Sequence, residues 1–266
     1  MQVVPVLTES DLQDFGENGY LVVPGVVDEE LMAAADEEID ELLASTAPNM
    51  DGGDAPDGSA PGRHGWSPPA SRLPRCDDAL RRSGALAIAE ELVAPFTLEH
   101  RFDHIQVATT VPPYSHVPGG PHIDNHAPGD HVQESFTVLA GILLTDQATA
   151  QSGNLWIWPG SHRDHARLFH ERGTGALRDA YGHVTMLDPP FPIGAPVEVK
   201  GQRGDLVLAH FLTGHNGGGN TSDHVRRTIY YRLATPGHAT RWEATFLDPL
   251  HEYRPVAAAL HRSSRV

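Results

Sequence analysis

The spacing of apolar and polar positions divides the chain into a helical beginning and a β-rich remainder. Thr8 stands before a short stretch in which Leu12 and Phe15 share a face, so a helix capped by Thr8 is expected there. Tyr20 to Val23 reads as a brief strand, and Asp28 caps a longer helix that carries Leu31, Ile39, Leu42 and Leu43 at helical spacing. Asp77 to Val93, with Leu80, Leu86, Ile88 and Leu92, predicts one further amphipathic helix. Between the two, Ala47 to Pro74 changes character. Gly, Pro, Asp and Ser dominate it, as in Asp51-Gly52-Gly53-Asp54 and Pro68-Pro69, and the expectation is a long irregular segment, a lid or a surface loop. Arg63, His64 and Trp66 within it are candidates to face a substrate.

After Pro95 the texture is that of strands: Phe102 to Thr109, Ser135 to Thr145, Leu155 to Trp158, Val197 to Val199, Asp205 to Ala209 and Arg227 to Leu233. Turn residues such as Pro118-Gly119-Gly120 and Gly217-Gly218-Gly219 separate them. Arg163 to Tyr181 reads as a helical insertion. Helices first and many spaced strands afterwards predict a mainly β fold with flanking helices, an antiparallel double-sheet barrel or jelly roll.

Composition narrows the chemistry. The formal charge of −16 sets the chain against phosphate backbones, so nucleic acid is not an expected partner. Its longest apolar stretch, Phe136 to Leu144, is far too short to span a bilayer, and residues Met1 to Ser10 lack the pattern of a secretory signal; a soluble, cytoplasmic protein without a membrane partner is expected. Cys76 is the only cysteine, so an internal disulfide and a cysteine-rich metal site are both excluded. Lys200 is the only lysine, which argues against Schiff-base chemistry. Any metal must be held by imidazole and carboxylate, and the chain has 17 histidines.

His122-Ile123-Asp124 is the first informative motif. On an extended segment, residues two apart point the same way, so both side chains can reach one ion. His126 and His131 lie close by as competing ligands. His215 follows the turn and strand of Gly204-Asp205-Leu206-Val207-Leu208-Ala209-His210, where a histidine just past a strand end projects into a barrel mouth. Two histidines and one carboxylate that leave positions open are the donor set of non-haem iron oxygenases. Arg226 opens the strand beyond His215, and a guanidinium there suits a dicarboxylate through two parallel charge-assisted bonds. Arg227 is the alternative, since neighbours on a strand face opposite sides.

The order His-x-Asp, then Ser152-Gly153-Asn154-Leu155-Trp156-Ile157-Trp158-Pro159-Gly160-Ser161-His162, then Gly204-Asp205 with His215, Asn220 and Arg226, resembles the phytanoyl-CoA dioxygenase (PhyH-like) family over roughly Phe102 to Leu233. The resemblance implies a double-stranded β-helix (cupin-like) core. It implies Fe(II) on His122, Asp124 and His215, with 2-oxoglutarate on that iron, its distal carboxylate on Arg226, and O2 as oxidant. Pro159-Gly160-Ser161-His162 is then an architectural turn rather than a source of ligands. A single oxygenase domain over 1–266 follows: a helical part over 1–95 with the irregular 47–74 segment, a jelly-roll core over 96–235 and a C-terminal extension over 236–266.

Two departures concern the cosubstrate pocket. Many members carry a lysine on the strand before His-x-Asp; here Gln106 or Thr109 would take over a contact to the keto acid. Many also have a tryptophan near position 142 and a serine two residues after the distal histidine, where this chain has Ile142 and Gly217. Halogenating relatives replace the ligand carboxylate with a small residue, so Asp124 favours hydroxylation of an unactivated C–H bond, with release of succinate and CO2, over chlorination. Desaturation, cyclisation and epimerisation stay open. The expected substrate is a small metabolite or natural-product intermediate, because Arg72, Arg75, Arg81 and Arg82 are the only basic cluster that could meet the phosphates of an acyl-CoA. Tyr114, His116, His126, His131, Phe136, Trp156 and Trp66 are the candidate substrate residues. A metal-binding barrel without catalysis and a zinc hydrolase are the competing readings.

Overall fold

A computed structural model describes residues 6–51, 58–124, 135–174, 176 and 192–264. The elements in chain order are α1 (Glu9–Asn18), β1 (Tyr20–Val23), α2 (Glu29–Ser45), β2 (Met50–Asp51), β3 (Gly62–Trp66), a 3-10 turn (Ala70–Arg72), α3 (Pro74–Arg82) and α4 (Ala85–Val93). Then come β4 (Glu99–His100), β5 (Gln106–Val111), β6 (Val138–Leu143), β7 (Leu155–Ile157), α5 (Ser161–Arg172), β8 (Val197–Glu198), β9 (Leu206–His210), β10 (His215–Gly217) and β11 (Arg226–Ala234). Helices α6 (His238–Leu247) and α7 (Arg254–Ser263) end the described chain. Among the described residues no helix is long and apolar enough to cross a membrane.

The large sheet runs β1-β9-β6-β11-β5-β3-β2, with β4 on β11, and the small sheet runs β10-β7-β8; the pairings are antiparallel. Successive strand residues face opposite sides, and the large sheet buries both. On one face Val107, Ile142, Leu208, Ile229 and Tyr231 pack with Leu31, Ile39, Leu80, Ile88 and Leu92 of the helices. On the other face Leu139, Leu143, Val207 and Tyr230 pack with Leu155 and Ile157 of the small sheet and with Phe211 and Phe246. The cavity lined by His122, Asp124, His215 and Arg226 lies on this second, inter-sheet side.

The helix caps fall where the sequence places them. Thr8 forms a reciprocal capping box with Asp11, and the Asp28 side chain accepts from the Leu31 amide. Two expectations are corrected. The helix expected over Asp77 to Val93 is a pair, α3 and α4, broken at Ser83-Gly84, where Gly84 has φ 91° and the Ser83 hydroxyl both donates to the Ala79 carbonyl and accepts from the Ala85 amide. The segment 47–74 is not uniformly irregular: β3 lies in it and pairs with β5 through Arg63↔Thr110 and Trp66↔Val107. Of the helical insertion expected over Arg163 to Tyr181, α5 accounts for the part to Arg172, and residues 175 and 177–181 lie outside the described residues. The C-terminal extension folds as α6 and α7, with α7 packed on α1.

Candidate metal centre

His122 and His215 face each other across a two-residue bridge. Each donates its amide to the other's carbonyl at 2.9 Å, which sets the two residues directly opposite one another, and their ring centroids stand 4.4 Å apart. Asp124 follows two residues after His122 on the same extended run, with Ile123 buried in the core between them. Its Oδ1 lies 3.4 Å from His122 Nε2 and 3.6 Å from His215 Nε2, and the three donor atoms fall within 4.8 Å of one another. Donors about 2 Å from a divalent ion and at right angles to one another are roughly 3 Å apart. His215 Nδ1 sits 3.0 Å from the Thr213 carbonyl. Donating its proton there leaves Nε2 with a lone pair toward Asp124 and His122. Thr213-Gly214 is itself fixed from the Pro159-Gly160-Ser161-His162 turn, where the Ser161 hydroxyl accepts from the Gly214 amide at 2.8 Å and donates to the Trp158 carbonyl. His162 is buried against the Gly16 carbonyl, away from the three donors.

The second oxygen of Asp124 is already taken. Arg232 on β11 directs Nε, at 3.0 Å, and Nη2 to Oδ2, while Nη2 also donates to Gln106 Oε1 at 3.0 Å. Oδ1 alone is thus turned to the imidazoles. Burial by itself would raise the Asp124 carboxyl, but the Arg232 guanidinium and the His122 and His215 imidazoles outweigh it and hold the group well below the ordinary carboxylate value. Burial and the neighbouring His215 push His122 down, toward the neutral form a metal requires.

Arg226 enters the same cavity, a space of about 430 Å³ lined also by His122, Asp124, His215, Thr110, Leu139 and Arg63. Its Nη2 donates to Tyr230 Oη at 2.6 Å and its Nε to Gln147 Oε1 at 3.3 Å; among the described residues no carboxylate pairs with it. Gly153 closes over its stem. That residue has φ 77°, and a Cβ there would stand 2.7 Å from Arg226 Cβ, so both the backbone conformation and the approach require glycine. Arg227 faces the other side and pairs with Asp36 and Asp40 of α2. Asp124 is the only carboxylate lining the cavity among the described residues.

The other sequence candidates divide. Gln106 lines the cavity, with its side chain engaged by Arg232. Thr109 borders it too, but its register partners are Arg227 and His64, whereas Thr110 pairs with Arg226. Ile142 sits in the helix-side core, and its neighbour Gly141 meets the ring of Tyr230. Three substrate candidates are corrected. Trp66 is 1% exposed in the helix-side core with its indole N–H on the Thr46 carbonyl, because alternation along β3 turns it away from the face of Arg63. Phe136 is 1% exposed and packs edge-on to Phe211 in the inter-sheet core. Trp156 lies on β7 between Leu155 and Ile157, whose side chains face the core, so its own faces away and against Gly218. Tyr114 and His116 stack on each other, half-buried, outside the cavity lining. His126 and His131 lie outside the described residues. Tyr230 and Arg232 were not read from sequence as site residues. The signal was present, because steps of two along the strand from Arg226 carry both onto its face.

Solved structures share this fold. The carbocyclase SnoK from nogalamycin biosynthesis, described as non-heme and alpha-ketoglutarate dependent, is 21% identical with a TM-score of 0.58, over 85% of this chain and 83% of its own. The epimerase SnoN from the same biosynthesis, described in the same terms, is 18% identical with a TM-score of 0.57, over 85% and 81%. HygX from Streptomyces hygroscopicus, solved with nickel, 2-oxoglutarate and hygromycin B, is 17% identical with a TM-score of 0.56, over 86% and 87%. No curated protein matches the chain by sequence. The sequence profile described as phytanoyl-CoA dioxygenase (PhyH) matches residues 15–228, most of the chain and all of the residues that build the centre except Tyr230 and Arg232. With the profile running from α1 into β11, through His122, Asp124, His215 and Arg226, the chain belongs to the phytanoyl-CoA dioxygenase family.

Proposed function

We propose that the protein is an iron(II)- and 2-oxoglutarate-dependent oxygenase that hydroxylates an unactivated C–H bond of a small natural-product intermediate. The observation that carries this reading is the pairing in one cavity of a two-histidine, one-carboxylate donor set with an arginine that has no acid partner among the described residues. The donor chemistry fits iron(II), since imidazole and a single carboxylate oxygen bind it and leave positions open. Arg226 fits the distal carboxylate of a keto diacid. A zinc hydrolase would need a second carboxylate as base near the metal, and among the described residues the lining offers none.

Iron(II) held by His122 Nε2, Asp124 Oδ1 and His215 Nε2, with 2-oxoglutarate and dioxygen, would supply the oxidising equivalent, releasing succinate and CO2. The chain supplies placement. Arg226, steadied by Tyr230, orients the distal carboxylate. Arg232 keeps Asp124 ionised and bound through one oxygen. Leu139 and Leu155 give the cavity apolar wall that limits water. The nogalamycin and hygromycin B named for SnoN, SnoK and HygX support a natural-product substrate. Because SnoN is described as an epimerase and SnoK as a carbocyclase, epimerisation or cyclisation on the same site is the second reading. The test is substrate-dependent succinate formation across a natural-product panel, with products identified by mass. Asp124→Ala should lose nearly all succinate; full turnover in that variant would refute the ligand role. A product heavier by one oxygen supports hydroxylation, and one of unchanged mass supports epimerisation.

A further inference from the structure

Arg63 is a third guanidinium in the cavity, after Arg226 and Arg232, and the proposed chemistry has no use for it. It comes from β3, and its register partner on β5 is Thr110, which on its other side pairs with Arg226. Arg63, Thr110 and Arg226 therefore stand at one level on one face, with the two arginine backbones about 10 Å apart across three strands. Arg63 reaches from the large sheet to β10 of the small one. Its Nη1 donates to Asn216 Oδ1 and to the Gly217 carbonyl, both at 3.0 Å, immediately beyond the ligand His215. Its stem lies flat on Gly217, where a Cβ would stand 2.8 Å from Nη1 and 3.1 Å from Cδ. A side chain at position 217 would therefore displace the Arg63 guanidinium.

The two Nη1 bonds orient the group and leave the Nε–Nη2 edge, one of the planar pairs that grip a carboxylate, without a partner among the described residues. Charge makes the same point. The chain has 35 acidic residues, and Arg203, Arg227 and Arg232 each hold one or more of them. Among the described residues Arg63 holds none, although it is half-buried. A half-buried cation without a counter-ion is costly unless an anion arrives to meet it. The keto diacid has two carboxylates, and the metal and Arg226 account for both.

We propose that Arg63 is an anion-recognition subsite for the primary substrate, taking a carboxylate or an oxyanion of like shape that this molecule carries. The proposal rests on the reading of the cavity as an iron and keto-acid site. The experiment uses full-length protein saturated with Zn(II) and 2-oxoglutarate, and follows 4-fluorobenzoate and its neutral counterpart 4-fluorobenzamide by fluorine NMR relaxation. Wild type should retain the benzoate and not the amide. Arg63→Met and Arg63→Gln should bind the benzoate at least about tenfold more weakly, as expected for loss of two charge-assisted bonds, while Arg63→Lys keeps part of it. Calorimetry should show 2-oxoglutarate affinity in Arg63→Met within about threefold of wild type, because Arg226, the keto acid's own fork, is untouched. Equal retention of acid and amide by wild type, or unchanged benzoate binding in the folded variants, would overturn the proposal and leave Arg63 a strut between the sheets. A loss of 2-oxoglutarate in Arg63→Met matching that in Arg226→Met would overturn it in favour of the keto acid as the anion. Failure of wild type to bind 2-oxoglutarate would count against the proposed function, and the benzoate comparison on Zn(II)-loaded protein would still read Arg63.

Discussion

Replacing Arg232 by methionine keeps the apolar stem and removes the charge that Asp124 Oδ2 rests on. The two side chains are 17% and 15% exposed, so solvent screens them weakly. Opposite charges near 4 Å at an effective dielectric of 20 attract by about 4 kcal/mol. Leaving one member of a buried pair unmatched costs roughly 3 kcal/mol after relaxation. For a chain of 266 residues, an unfolding entropy of about 2.1 cal/mol/K per residue turns that loss into a fall in Tm of about 5 °C. The fall belongs to the metal-free protein. A divalent ion on Oδ1 supplies the missing counter-charge, so saturating Mn(II) should recover most of the loss in Arg232→Met and raise its Tm more than that of wild type. Calorimetric melting of both proteins, with chelator and then with Mn(II), reads the four values. Identical melting of the two metal-free proteins, or an equal rise with Mn(II), would refute the claim that Arg232 balances the charge of Asp124 through Oδ2.

Arg226→Met should weaken 2-oxoglutarate binding by about 50-fold, the worth of a charge-assisted carboxylate pair, measured by calorimetry on Mn(II)-loaded protein. Tyr230→Phe removes only the acceptor that steadies Arg226, and should cost about fivefold in the same titration. Acid should destabilise the fold between about pH 6.5 and 4. Burial pushes His165 and His210 down to about 4, so in that window the unfolded chain binds protons that the folded one refuses. Stability is therefore full above the unfolded value near 6.5, lost as the pH falls, and level again below 4, with about 3 kcal/mol lost per histidine. In urea titrations across pH, His210→Gln should flatten this slope, and an unchanged slope would contradict the assignment.

Much of the centre was legible in the sequence because its chemistry is carried by residue type and short spacing. His122-x-Asp124 needs only strand alternation to bring two donors together, and His215 needs only a strand end. What the sequence lacked was the phase of the sheet. Alternation along β11 requires one of Arg226 and Arg227 to face inward, but the choice depends on the inter-sheet core lying on the side of Tyr230 rather than Tyr231. Once that is known, Arg232 follows as Asp124's partner and Thr110 as the neighbour of Arg226. Aromatic type carries no layer information either, which is why Trp66 and Phe136 read as substrate residues and fold as core. β3 was hidden because a Gly-rich stretch shows no alternation; it becomes a strand by adding to the edge of β5. β10 was hidden because His215-Asn216-Gly217 owes its extended shape to β7 and to His122 rather than to propensity.

The proposed role of His122, Asp124, His215 and Arg226 is to seat iron(II) and a keto diacid together. Its most direct test is optical titration of the protein with Fe(II) and 2-oxoglutarate under argon. A weak visible band in the green should saturate with both components, be absent in Asp124→Ala, and need far more keto acid in Arg226→Met. Folded wild-type protein that takes up Fe(II) and 2-oxoglutarate without any such band would contradict it.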